Sequence, residues 1–134
     1  MSVKNSKIAR NMEDTNYDIL IVDDSITITK LLMDIFKLKG FSSKIANDYN
    51  SAINELNNNP KIIFLDVNMP DLNGYQFCKM IKSNKKYKEI LVYYLTGVSQ
   101  SEIQINTLLT KADGYIKKPF NISDFNDILD YINH

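Results

Sequence analysis

Lys61-Ile62-Ile63-Phe64-Leu65-Asp66-Val67-Asn68-Met69-Pro70-Asp71-Leu72-Asn73-Gly74 is the stretch on which the fold turns. Ile62 to Leu65 run apolar without alternation, the pattern of a strand buried on both faces of a parallel sheet. Asp66 ends that run where the strand must meet solvent. The residues after it are dense in turn formers, which stop the strand and reverse the chain. A carboxylate at the C-terminal end of a central strand lies where open α/β sheets bind ligands. Taken alone, Asp66 reads more simply as a turn cap, and the other strand ends must decide between the two.

Working outward, Ile19 to Val22 form a second apolar run, which ends in Asp23-Asp24. Ser25 follows as an N-cap, and Ile28, Leu31, Leu32, Ile35 and Leu38 recur at helical spacing until Gly40. Phe41 to Ile45 form a weaker edge strand, and Asn50 to Leu56 a short helix. Beyond Gly74, Phe77, Met80 and Ile81 mark the inward face of a helix. Ile90 to Leu95 form a fourth strand, ending in Thr96-Gly97. The next helix, Ser101 to Thr110, carries Ile105, Leu108 and Leu109 on one side. Tyr115 to Lys117 make a fifth strand, ending in Lys118-Pro119-Phe120. Ser123 is the expected cap of a last helix with Phe125, Ile128, Leu129 and Ile132 inward. Five strands alternating with helices imply one doubly wound parallel sheet with helices on both faces, because right-handed crossovers leave little choice.

Composition narrows the function. The chain has 134 residues, with 16 basic and 16 acidic side chains, which suits one domain and gives no electrostatic reason to expect direct nucleic-acid binding. Cys78 is the only cysteine, which excludes an internal disulfide and a cysteine-based zinc site. No apolar run is long enough for membrane insertion, and the N-terminus lacks the apolar core of a signal peptide. A cytoplasmic protein is expected, with a flexible leader over residues 1–16 and one domain over 17–134.

The strand ends then bring together Asp23 and Asp24, Asp66, Thr96 and Lys118, all on the same edge of a parallel sheet. Three crowded carboxylates repel and raise one another's pKa unless a cation lies among them. A few hard oxygen ligands suit Mg²⁺. A hydroxyl and an ammonium beside them complete a set of partners for a phosphoryl group.

These runs, Ile-Leu-Ile-Val-Asp-Asp-Ser, Phe-Leu-Asp-Val-Asn-Met-Pro-Asp-Leu-Asn-Gly, Tyr-Leu-Thr-Gly and Tyr-Ile-Lys-Lys-Pro-Phe, resemble the receiver domain of two-component response regulators over roughly Tyr17 to Asn133. The resemblance implies a flavodoxin-like sheet in the order 2-1-3-4-5. It implies that Asp66 is the phosphoacceptor and that Asp23, Asp24, Asp66 and the backbone carbonyl of Asn68 hold Mg²⁺, with Mn²⁺ as a substitute. Thr96 would bond the phosphoryl oxygen, Lys118 would pair with its charge, and Tyr115 would be the aromatic switch. Lys117 should point away from the acids, and the bond before Pro119 should be cis. The donor would be a histidine kinase or a histidine phosphotransfer protein, and the output would be binding to a downstream protein target.

Two rivals remain. An aspartyl-phosphate phosphatase would carry an acid two residues beyond the nucleophile, where this chain has Asn68, so the chain is expected not to be an enzyme in that sense. A degenerate receiver, acting only as an interaction module, would have lost one of the acids or the lysine, and all are present.

Overall fold

The computed structural model describes residues 16–70 and 72–133. The expected leader, almost all of it, and His134 lie outside them. The five main strands are β1 (Ile19–Val22), β2 (Ser43–Ala46), β3 (Ile62–Asp66), β4 (Leu91–Thr96) and β5 (Gly114–Lys117). Among the described residues, the α-helices are α1 (Ile26–Leu38), α2 (Tyr49–Glu55), α3 (Gly74–Ser83), α4 (Gln100–Thr110) and α5 (Asn126–Ile132). All main pairings are parallel, in the order β2-β1-β3-β4-β5, as the resemblance implies.

Burial explains the unalternated runs. Every residue of β1 and β3 is buried. Alternate residues serve separate layers. Leu20, Val22, Ile63 and Leu65 pack into one cluster with Phe77, Cys78 and Ile81 of α3 and Ile103 of α4. Ile19, Ile21, Ile62 and Phe64 enter another with Phe36 of α1 and Leu129 of α5. Cys78 is buried core, as its spacing suggests. Because β1 pairs with β2 on one side and β3 on the other, the chain reverses its winding between them. That is where a crevice opens beyond the strands' C-terminal ends.

Two helices depart from their sequence pattern. In α1, Leu32, Ile35 and Phe36 are buried, but Leu31 and Leu38 are exposed. In α4 the correction is larger, because Ile105, Leu108 and Leu109 face solvent, Leu108 being 80% exposed. The buried residues there are Ile103 and Thr110. Hydropathy ranks leucine above threonine, yet a threonine whose hydroxyl is satisfied costs little to bury. The Thr110 hydroxyl bonds the Tyr94 hydroxyl at 2.6 Å and donates to the Asn106 carbonyl at 2.6 Å, and that of Thr107 donates to the Ile103 carbonyl at 2.7 Å.

The start of the last helix also differs. Ser123 lies inside a 3₁₀ turn, Ile122–Phe125, that precedes α5, and Asn121 rather than Ser123 stands at its head. The backbone N–H of Asn121 donates to the Asp124 carboxylate at 2.8 Å. Phe125, Leu129 and Ile132 are buried as expected. Among the described residues, no helix is long and apolar enough to cross a membrane.

Candidate phosphoryl-acceptor site

Asp23 and Asp24 follow β1 directly, and Asp66 is the last residue of β3. One carboxylate oxygen from each of the three lies within 4.8 Å of the others. Asp23 is only 1% exposed. Its Oδ1 accepts the Ser25 N–H at 2.9 Å, and its Oδ2 accepts the Lys118 ammonium at 3.0 Å. Asp66 is buried, with Oδ1 accepting the Asn68 N–H at 3.0 Å and Oδ2 lying 3.8 Å from Lys118 Nζ. Asp24 is exposed, so the cluster opens to solvent on that side.

The electrostatics follow from the crowding. Burial pushes the Asp66 carboxyl above the ordinary carboxylate range, and the charges of Asp23 and Asp24 push the same way. The Asn68 N–H and the Lys118 ammonium oppose them without cancelling them. Lys118 is one cation facing more than one acid. The three carboxylates form a hard-oxygen donor set of the kind that suits Mg²⁺ or Mn²⁺, and their geometry fits such an ion.

The fourth strand brings Thr96 to the same edge, fully buried, its Oγ1 accepting the Val98 N–H at 3.0 Å. The fifth brings Lys118, which is tied to the fourth by its N–H donating to the Thr96 carbonyl at 2.7 Å. The Lys118–Pro119 bond is cis, as the resemblance implies. Lys117 points away from the acids, and its ammonium donates to the carbonyl of Val98. Tyr115 lies half-buried on β5, and its hydroxyl accepts a hydrogen bond from the Gln100 side chain. Of the candidate residues, Asp23, Asp24, Asp66 and Lys118 are drawn into one cluster. Thr96 flanks it at the end of β4, and Tyr115 lies opposite Tyr94 on β5, bonded to Gln100 at the opening of α4.

Sequence reasoning missed three features. The turn after Asp66 contains a small antiparallel ladder in which Asn68 pairs with Asn73 and Met69 with Leu72. Tight reversals of this size leave no hydropathy period to detect. Gln100, the partner of Tyr115, was singled out by nothing in the sequence. The role of Gly74 is purely spatial, because a Cβ there would meet Val67 Cα at 2.9 Å and the Asp66 carbonyl oxygen at 3.1 Å. Both obstacles are backbone, so neither can swing aside. Gly74→Ala is therefore expected to cost about 1–3 kcal/mol in urea unfolding, the scale of a forced overpacking. Gly97→Ala, where a Cβ would meet nothing within 4 Å, serves as its control and should cost distinctly less.

Comparison with known proteins agrees with this geometry. The family model of the response regulator receiver domain matches residues 19–130. The phosphate regulon transcriptional regulatory protein PhoB of Escherichia coli (strain K12) is 38% identical over 104 residues, which cover 77% of this chain and 45% of that protein. The response regulator SaeR of Staphylococcus aureus (strain NCTC 8325 / PS 47) is 36% identical over 103 residues, covering 77% and 44%. The chain thus spans less than half the length of these relatives. Among solved structures, the chemotaxis response regulator CheY4 of Vibrio cholerae superposes with a TM-score of 0.78 at 27% identity, covering 87% of this chain and 98% of that one. An acidic cluster on a β2-β1-β3-β4-β5 sheet and a family match over nearly its whole length lead to one conclusion: the chain belongs to the receiver domains of two-component response regulators.

Proposed function

We propose that the chain is a phosphorylation-driven switch, in which Asp66 accepts a phosphoryl group from the phosphohistidine of a histidine kinase or a histidine phosphotransfer protein. The observation that carries this reading is the convergence of Asp23, Asp24, Asp66 and Lys118 on one edge of the sheet. A carboxylate oxygen of Asp66 forms the new P–O bond while the P–N bond of the donor breaks. The imidazole nitrogen leaves with the electron pair. Lys118 stands where it offsets negative charge on the phosphoryl oxygens, and the Thr96 hydroxyl retains a proton to donate to one of them. Asp23, Asp24, Asp66 and the backbone carbonyl of Asn68 would hold Mg²⁺ or Mn²⁺, which supplies positive charge against the incoming phosphoryl group.

The chain itself is a phosphoacceptor rather than an enzyme acting on a separate substrate. Its output is binding to a downstream protein target, and Tyr115 is the residue whose ring position would report the state of Thr96. A module that acts without phosphorylation has no need of an acidic cluster this costly to hold together, so that reading is disfavoured.

Incubating the purified protein with a small acyl phosphate and Mg²⁺ should add one phosphate, mapped to Asp66 by mass spectrometry and abolished by a chelator. Mg²⁺ alone should raise the melting temperature by mass action, and the rise should shrink in Asp24→Ala. If phosphate lands elsewhere, or does not land at all, the switch reading fails.

A further inference from the structure

Lys117 is the last residue of β5, and Lys118 follows it directly. Lys118 goes to the acids. Lys117 goes to the other side, where its ammonium donates to the backbone carbonyl of Val98. The N–H of that same Val98 donates to Thr96 Oγ1 at 3.0 Å. A chain of two hydrogen bonds therefore runs from Lys117, through one peptide residue, to the hydroxyl beside the phosphoacceptor. We propose that Lys117 is a positioning residue for phosphoryl binding, holding Val98 so that Val98 in turn orients the hydroxyl of Thr96.

The physical case rests on what Thr96 has available. A hydroxyl has one proton to give and two lone pairs to accept with. One lone pair is engaged by the Val98 N–H, which limits how the O–H can rotate. Thr96 is fully buried, so water does not substitute for Val98 as the orienting partner. Val98 itself lies between β4 and the N-cap of α4, where Ser99 Oγ accepts the Glu102 N–H at 3.2 Å. Its N–H bond reaches only two residues back along the chain, so it does not fix the loop against the sheet. Beside the packing of the Val98 side chain on the core, the bond from Lys117 ties the loop to β5, where Lys117 lies opposite Thr96 in the β4–β5 register. Preorganised donors act strongly on a phosphoryl group because nothing reorganises when the charge arrives.

This inference rests on the proposed phosphoacceptor reading, and beryllofluoride with Mg²⁺ serves as the phosphoryl mimic that tests the two separately. Lys117→Met keeps the length of the side chain and removes its donor. It is expected to weaken beryllofluoride binding about three- to tenfold, the scale of one hydrogen bond, and to leave the affinity for Mg²⁺ alone unchanged. In a Thr96→Ala background the same substitution should have no further effect, as a coupling through Thr96 requires. The amide NMR signals of Thr96 and Val98 should shift in Lys117→Met even without beryllofluoride. A penalty that persists in Thr96→Ala would mean that the ammonium acts through space, and would overturn the proposal. So would unshifted Thr96 and Val98 signals, or unchanged beryllofluoride affinity in Lys117→Met. If the wild-type protein binds no beryllofluoride, the phosphoacceptor reading itself falls, and the inference with it.

Discussion

Asp66→Asn is expected to bring phosphate uptake down to background and, at the same time, to raise the melting temperature of the metal-free protein at neutral pH. The first effect follows from removing the nucleophilic oxygen. The second follows from the raised pKa of Asp66, which burial causes first and the charges of Asp23 and Asp24 reinforce. An acid whose pKa is raised by folding ionises more readily in the unfolded chain, so it penalises the folded state once it can ionise. Below the ordinary aspartate value of about 4, both states are protonated and the penalty vanishes. Above it, the unfolded chain loses its proton first and the penalty grows until the folded carboxyl ionises too. The stabilisation by asparagine should therefore be absent in acid and grow as pH rises toward neutrality. Melting curves of both proteins across that range, with chelator present, would show it. A gain largest in acid would contradict the electrostatic account of the cluster.

Phe64→Ala should cause the largest loss of stability of any single truncation considered, about 3–5 kcal/mol. A whole domain has only about 5–15 kcal/mol to lose. Phe64 is fully buried at the centre of the sheet. Its ring stacks on Phe36 at 5.3 Å between centroids, meets Phe125 edge-on at 5.3 Å, and lies 6.2 Å from Tyr93. One side chain thus joins α1, the 3₁₀ turn before α5 and two strands. Leu108→Ala is the contrast, expected to change stability by less than about 0.5 kcal/mol because that leucine is exposed. Urea unfolding of the two variants separates the observed packing from the hydropathy pattern of α4, which would rank them much closer.

The strands were legible because burial on both faces leaves a simple mark, an unbroken apolar run. Ile19 to Val22 and Ile62 to Leu65 carry that mark, and it gives the sheet and both acidic strand ends. The site was legible for a related reason. Parallel strands all end on one edge, so Asp23, Asp24, Asp66 and Lys118 are brought together by topology without long-range guesswork. Thr110 and Leu108 show where this reasoning stops. The inward side of α4 carries Ile103 and Thr110, and the hydroxyl of Thr110 pairs with that of Tyr94, an interaction between residues of different elements. Hydropathy counts each residue alone and does not register that a threonine has a partner. Gln100 was hidden for the same reason, since its contact exists only through Tyr115.

The division of the core into two layers by residue parity also bears on how such a chain can change length over generations. Leu20, Ile63 and Leu65 serve one layer, and Ile19, Ile62 and Phe64 the other. Inserting or deleting one residue within β3 would exchange its two sets and swing Asp66 to the wrong side of its strand, and the same change within β1 would displace Asp23 and Asp24. Length variation is therefore confined to the connections, such as residues 84–89 between α3 and β4, which lie at the edge remote from the acids. A change of length there leaves the register of the strands that carry the acids intact, whereas those strands are held to a fixed count.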